Sequence, residues 1–166
     1  RDRSVSRGLG DVYKRQVCGF GWAKPVEINP NYYKNFRSGV MKVSFAGPGM
    51  NLLICFLAEC IMLLMMKLGL LTAGQPGHLF LYWIMLYNVW FAFFNLIPVP
   101  PLDGSKILEM VLPGKLAFAF HNFSYRYSFL LLLFLVFSGM IGRIINPLAQ
   151  FYTGTTIRLI ASVLQM

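Results

Sequence analysis

Long apolar runs, rather than the alternating or one-faced patterns of water-soluble elements, set the character of this chain. Val43 to Met66 is 24 residues broken by one charge, Glu59, and Leu79 to Ile97 is 19 residues with none. Between Arg126 and Arg143 lie 16 uncharged residues, which the neighbouring apolar stretch Leu116–Phe123 and snorkelling arginines can extend. A membrane-crossing helix needs about 20 mostly apolar residues. The pattern therefore predicts an all-α polytopic membrane protein with three transmembrane helices over about 43–66, 79–97 and 124–142. A fourth helix is predicted over about 144–164. Its stripe of Ile141, Ile144, Ile145, Leu148 and Tyr152 is interleaved with Asn146, Gln150, Thr153, Thr155, Thr156 and Arg158. That mixture favours an amphipathic or bundle-covered helix, with a fourth span as the alternative.

The segment 17–42 mixes aromatics, proline and asparagine without a 3.6-residue period. It reads as a loop with short strands, an edge to which a substrate strand could add. Residues 1–16, RDRSVSRGLGDVYKRQ, have no apolar core of a signal peptide. They resemble a translated cloning adaptor joined to a truncated reading frame, and are set apart from the membrane domain 43–166.

Composition agrees with a lipid environment. The chain is 57% hydrophobic and 13% charged, half the charged fraction of an ordinary globular chain (~25%); its mean hydropathy is +0.59. The formal charge is +9, of which the five basic and two acidic residues of 1–16 account for three. In a soluble protein such an excess suggests nucleic acid; here the basic residues flank apolar runs and read as topology signals facing anionic headgroups. Lys24, Lys34, Arg37, Lys42, Lys106, Lys115 and Arg126 fall before the first span or between Pro98 and Tyr127, against Lys67 alone in the first inter-span connection. The positive-inside rule puts the first two places on the cytoplasmic side, so the expected partner is a lipid bilayer and not nucleic acid. The six Phe and Tyr residues of Phe118–Phe129 read as an interfacial belt. Cys18, Cys55 and Cys60 form no C-x-x-C pair and read as small apolar filler.

Candidate chemistry concentrates where the second run ends, in Asn95-Leu-Ile-Pro98-Val-Pro100-Pro101-Leu-Asp103-Gly104. Three prolines in four positions end any regular helix. At membrane depth such backbone survives only under protein cover or in a watery cavity. Asp103 is the only acid between Glu59 and Glu109. Taken alone, Asp103-Gly104 is ordinary turn chemistry, and Asp103 would N-cap a short helix through Val111. A metal or proton site is the other reading. Glu59, inside the first run, is either a functional proton or substrate-contact group, or a side chain that is protonated or faces a wet gap left by absent helices.

Three ordered motifs sharpen this. Asn95, Pro98, Pro100, Asp103 and Gly104 match N-x-x-P-x-P-x-x-D-G, the second zinc motif of the site-2 proteases, which are intramembrane zinc metalloproteases. Phe20–Val26 with Asn29-Pro30 resembles that family's loop after its catalytic helix. Ala46-Gly47-Pro48-Gly49-Met50-Asn51 resembles the start of its next core helix. The resemblance runs from about Val17 to Asn146. It implies a zinc metalloendopeptidase that hydrolyses peptide bonds of a membrane-embedded protein substrate. It further implies a bacterial plasma membrane, with the Asp103 motif near the cytoplasmic side. Asp103 would be a Zn²⁺ ligand, and Asn95 would position substrate or oxyanion; a helix-to-helix hydrogen bond is the structural alternative for Asn95. The chain departs from the family in having no H-E-x-x-H, whose two histidines and glutamate supply the other ligands and the general base. His78 and His121 have no histidine partner at i+4 and are not expected to bind zinc. The expectation is a C-terminal fragment, inactive by itself. Two rivals stand beside it: an ion or proton transporter or channel subunit using Asp103, Asn95 and Glu59, and a non-catalytic membrane scaffold.

Overall fold

A computed structural model of the chain describes residues 36–165. The motif at Phe20–Pro30, the segment 1–16, Cys18 and most of the expected loop-and-strand segment lie outside the described residues. Six helices follow one another: α1 (Phe36–Lys67), α2 (Pro76–Asn95), α3 (Asp103–Val111), α4 (Gly114–Arg126), α5 (Ser128–Phe137) and α6 (Met140–Leu164). There is no strand among the described residues. The helix expected from Val43 starts at Phe36, so the last residues assigned to the 17–42 loop are the first turns of α1.

α1 and α2 are each long and apolar enough to cross a bilayer; the chain is an integral membrane protein. At ~1.5 Å per residue α1 is about 48 Å long against ~30 Å of hydrocarbon, so its basic beginning projects beyond the apolar layer. Its buried stripe is Val40, Ser44, Pro48, Cys55, Ala58, Glu59 and Met62, spaced so that one face stays turned to its neighbours. The opposite face exposes Leu53, Ile54, Leu57, Ile61 and Leu64, which in a bilayer is contact with lipid. Because lipid is as apolar as a leucine side chain, burial of leucine adds little between spans, and small residues that allow close approach are favoured. That is the composition of the core, where Cys55, Ala58, Ala92 and Ala149 are buried beside Met85, Val89 and Ile145.

The run expected to form one helix over 124–142 is broken. α4 and α5 meet at 72°, with Tyr127 at φ −108° and ψ 13° between them, and Gly139 at φ 69° ends the segment before α6. α5, with ten residues, is about 15 Å long, half a hydrocarbon thickness. An uninterrupted apolar run satisfies a hydropathy window without fixing where the backbone turns.

α6 lies lengthwise on α1, running in the same direction. The Tyr152 hydroxyl donates to the Leu52 carbonyl at 2.9 Å, and Lys67 Nζ donates to the carbonyl of Leu164. Counting back from Tyr152 at ~1.5 Å per residue, Met140 stands level with the start of α1. The stripe that seats α6 is Ile145, Ala149 and Ile160, all buried, with Ile141 and Tyr152 packed beside them. Ile144 and Leu148, expected on that stripe, are 41% and 44% exposed. The helix is turned so that Ala149, which lets α1 approach, takes the seam. Tyr152→Phe is expected to weaken the seating of α6 by about 1 kcal/mol, the usual value of one such hydrogen bond. Denaturant titration in detergent micelles reads it, and an unchanged midpoint would deny the bond any role.

Candidate metal centre

α2 ends at Asn95, where the prolines withdraw the donors that another turn would need. The break from Leu96 to Leu102 is a chain of tight turns: Leu96 N–H to Phe93 O, Ile97 N–H to Phe94 O, Val99 N–H to Ile97 O at 2.8 Å and Leu102 N–H to Val99 O at 3.0 Å. Ile97, Pro100 and Leu102 are buried while Pro98 and Pro101 are exposed, so protein covers part of the irregular backbone and the rest carries the prolines, which have no N–H to satisfy. α3 then starts at Asp103, the residue expected from the sequence as its N-cap, and ends at Val111 as expected.

The N-cap is Leu102, which makes no side-chain cap bond, and Ser105 Oγ donates to the Leu102 carbonyl at 2.7 Å. Asp103 is therefore the first residue inside the helix, and its carboxylate does not cap. Oδ1 accepts from Lys106 Nζ at 3.0 Å, one turn along the same helix. Oδ2 faces α1: a Cβ added at Gly47 would lie 3.5 Å from it. The carboxylate is thus held by one oxygen while the other is directed at a glycine, where a methyl would already be in van der Waals contact with it and a larger side chain would crowd it. Asp103 is 32% exposed at the side chain, partly reachable by solvent.

Gly104 makes this placement possible. A Cβ there would come within 2.2 Å of the Leu96 carbonyl oxygen and 2.6 Å of that of Ile97. The first turn of α3 consequently folds back against the break, which carries Asp103 toward α1. Arg37 Nη2 donates to the Leu112 carbonyl at 3.3 Å and ties the beginning of α1 to the far end of α3. The α1 start and the α3 region thus stand at one end of the molecule, in keeping with their shared basic character. Gly47 is four residues into the apolar run, so Asp103 sits at a depth of about 6 Å from its edge.

Asn95 closes the last turn of α2. Its Nδ2 donates to the Phe91 carbonyl of its own helix at 2.9 Å, and among the described residues it makes no helix-to-helix bond, the structural alternative raised for it. Beside it, Leu86, Tyr87, Trp90, Phe91 and Phe94 of α2 with Ile141 of α6 line an open groove of about 400 Å³. The groove walls are almost wholly apolar. Glu59 is 12 residues from Gly47 along α1, about 18 Å, and is fully buried. It shares no site with Asp103 and faces α6 rather than a wet gap. His121 Nδ1 lies 2.9 Å from Glu109 Oε1 and its ring packs at 4.4 Å on Tyr125; it joins α4 to α3 and does not approach Asp103. Lys106 was missed as a site residue, though its i,i+3 spacing from Asp103 on one helix face was the available signal. The meeting of Gly47 with Asp103 had no such signal.

Among the described residues no three His, Cys, Asp or Glu side chains converge on a point that could hold a metal. What fits zinc is a single ligand: a partly exposed carboxylate oxygen facing a glycine, a donor type zinc accepts.

Comparison with known proteins accords with this geometry. The model of peptidase family M50 matches residues 72–135, an interval that contains Asn95, the proline break and Asp103. The chain is 35% identical over 154 residues to a Bacillus subtilis (strain 168) protein named "Putative zinc metalloprotease YwhC", covering 90% of this chain and 69% of that one. It is 36% identical over 107 residues to "Putative zinc metalloprotease MJ0611" of Methanocaldococcus jannaschii, covering 61% of this chain and 49% of the relative. A third relative, "Zinc metalloprotease MJ0392" of the same archaeon, is 30% identical over 79 residues and is covered over 22% of its length. No solved structure matches.

Proposed function

The chain belongs to peptidase family M50, the site-2 type of zinc metalloprotease, and from that premise we propose that Asp103 is its metal ligand in intramembrane peptide hydrolysis. The observation that carries the proposal is the state of the Asp103 carboxylate, uncommitted to capping, oriented by Lys106, partly exposed and with Oδ2 facing Gly47. Zinc, when bound, supplies Lewis-acid polarisation of the scissile carbonyl and acidifies water. The residues of this chain do the rest of what lies within it. Lys106 holds Oδ1, so that Oδ2 is the oxygen presented. Gly104 and the proline break set the distance of the carboxylate from α1. The groove along α2 ends beside Asn95, and its aromatic wall receives an apolar segment of a membrane-embedded protein substrate. Asn95, with its amide N–H held by Phe91 O, would offer its carbonyl oxygen to an extended substrate strand.

The sequence contains no H-E-x-x-H. The two histidine ligands and the general base would therefore come from outside these 166 residues, and the chain alone would not cleave peptides. α6, which runs alongside α1, would be the third crossing, and α4–α5 a bent pair that returns to the end where it started. The proposed setting is a bacterial plasma membrane with Asp103 toward the cytoplasm. The test is the source DNA. The frame upstream of Val17 should encode H-E-x-x-H in an apolar helix, and a frame without it would remove the peptidase reading. The separation of Glu59 from Asp103 weighs against a shared ion path through both.

A further inference from the structure

Glu59 is left unexplained by metal chemistry. It stands about 10 Å inside the nearer end of the apolar run of α1 and about 24 Å from the other. The side chain is fully buried at the seam where α6 lies on α1. Its Oε1 accepts from the Cys55 thiol at 3.8 Å. Its Oε2 has no hydrogen-bond partner among the described residues. The surroundings can be named element by element. On α1 the neighbouring titratable groups are Cys55 and Cys60, both free thiols. On α6 they are Tyr152, whose hydroxyl is committed to Leu52 O, and beside it Thr156. α2 adds buried apolar Met85 and Val89 to the same core. Lys67, two turns along α1, donates to the Leu164 carbonyl, and Arg158 is exposed. No ion pair of Glu59 occurs among the described residues.

We propose that Glu59 is an intramembrane proton-binding site: the carboxyl is held as the neutral acid, and the bound proton keeps α6 seated on α1. An ionised carboxylate there would have a weak thiol donor at one oxygen, while the neighbouring Thr156 hydroxyl already donates its proton to the Tyr152 carbonyl at 2.9 Å, in a medium that solvates charge poorly. A proton removes the charge without requiring further ligands. A hard metal cation would need six or more oxygens, and the seam offers a soft sulfur, one hydroxyl and apolar walls. Loss of the proton leaves an anion between the two helices, and separation of α6 is the movement that lets water reach it. Because α6 also packs on α2, release would disturb the groove beside Asn95.

The experiment uses the whole chain in liposomes and needs neither zinc nor peptidase activity, so its outcome is independent of the peptidase reading. The probe is dicyclohexylcarbodiimide, which partitions into lipid. The carboxyl O–H adds across one C=N bond to give an O-acylisourea, which rearranges to a stable N-acylurea with no atom lost. Peptide mass spectrometry should place the adduct on Glu59, falling about tenfold per pH unit above the midpoint of the acid. A water-soluble carbodiimide should not reach it. Difference infrared spectra of wild type and Glu59→Gln should show loss of one protonated-carboxyl carbonyl band. Amide exchange in α6, corrected for its intrinsic pH dependence, should quicken in the wild type above that midpoint and stay protected in Glu59→Gln. An unlabelled Glu59 with no such band would show the group ionised and overturn the site. Equal α6 exchange in both proteins at every pH would overturn the seating role. Labelling of the wild type decides the first point even if Glu59→Gln does not fold.

Discussion

Gly104→Ala should destabilise the fold by about 3 kcal/mol or more, the upper range for overpacking, and should displace Asp103 from α1. The added methyl would meet Leu96 O at 2.2 Å, Leu96 C at 2.4 Å and Ile97 O at 2.6 Å. All three are backbone atoms, so no side chain can swing aside to relieve the contact. Either α3 moves off the break or the turn at 96–97 opens, and each course exposes irregular backbone at membrane depth. Gly49→Ala is the matched control, because nothing lies within 4 Å of a Cβ there. In the interior of α1 it should be neutral or stabilise by up to about 1 kcal/mol. Denaturant midpoints of the two variants in detergent micelles make the comparison. Equal midpoints would mean that the close approach of α3 to the break does not exist in the folded protein.

Asp103→Asn should separate function from stability. The proposed ligand is lost, so peptide cleavage by the protein carrying its H-E-x-x-H helix should fall by about 10³-fold or more, roughly 4 kcal/mol of transition-state stabilisation. Bound zinc should fall with it. Folding should change by less than about 1 kcal/mol, because Asp103 caps nothing and its pair with Lys106 is a third exposed on both sides. Lys106→Met should cost less activity, about 10- to 100-fold, as expected of a group that orients a ligand without touching the metal. Gly47→Leu should imitate Asp103→Asn by crowding Oδ2, with Lys106 untouched. Full zinc content and activity in Asp103→Asn would remove Asp103 from the site.

How much of this was readable beforehand depended on distance along the chain. The short helix ending at Val111 was legible because the proline break before it and its length are local, although its N-cap is Leu102 and not Asp103. So was the break at Pro98–Pro101, which follows from missing donors. The course of 124–142 was not, because a uniform apolar run carries no mark of where it bends. Glu59 was read as a proton or substrate group, or as a side chain protonated or facing a wet gap, but that it is buried beside α6, nearly a hundred residues away, had no local signal. Cys55 was read as filler, yet its thiol donates to that acid.

From the sequence alone came the membrane environment, the two long spans, the basic end and the family motif at Asn95–Gly104. All of these are sums or spacings over neighbouring residues, and the physics behind them is local: transfer of apolar runs into lipid, and the dihedral limits of proline. Tertiary structure alone decided that Asp103 does not cap its helix, that its free oxygen faces Gly47, that Asn95 bonds within α2 and that α6 covers Glu59. Each of these depends on which helices approach closely enough to touch. In lipid that choice rests on small residues and on single polar partners, whose pairing across a long chain no local pattern specifies.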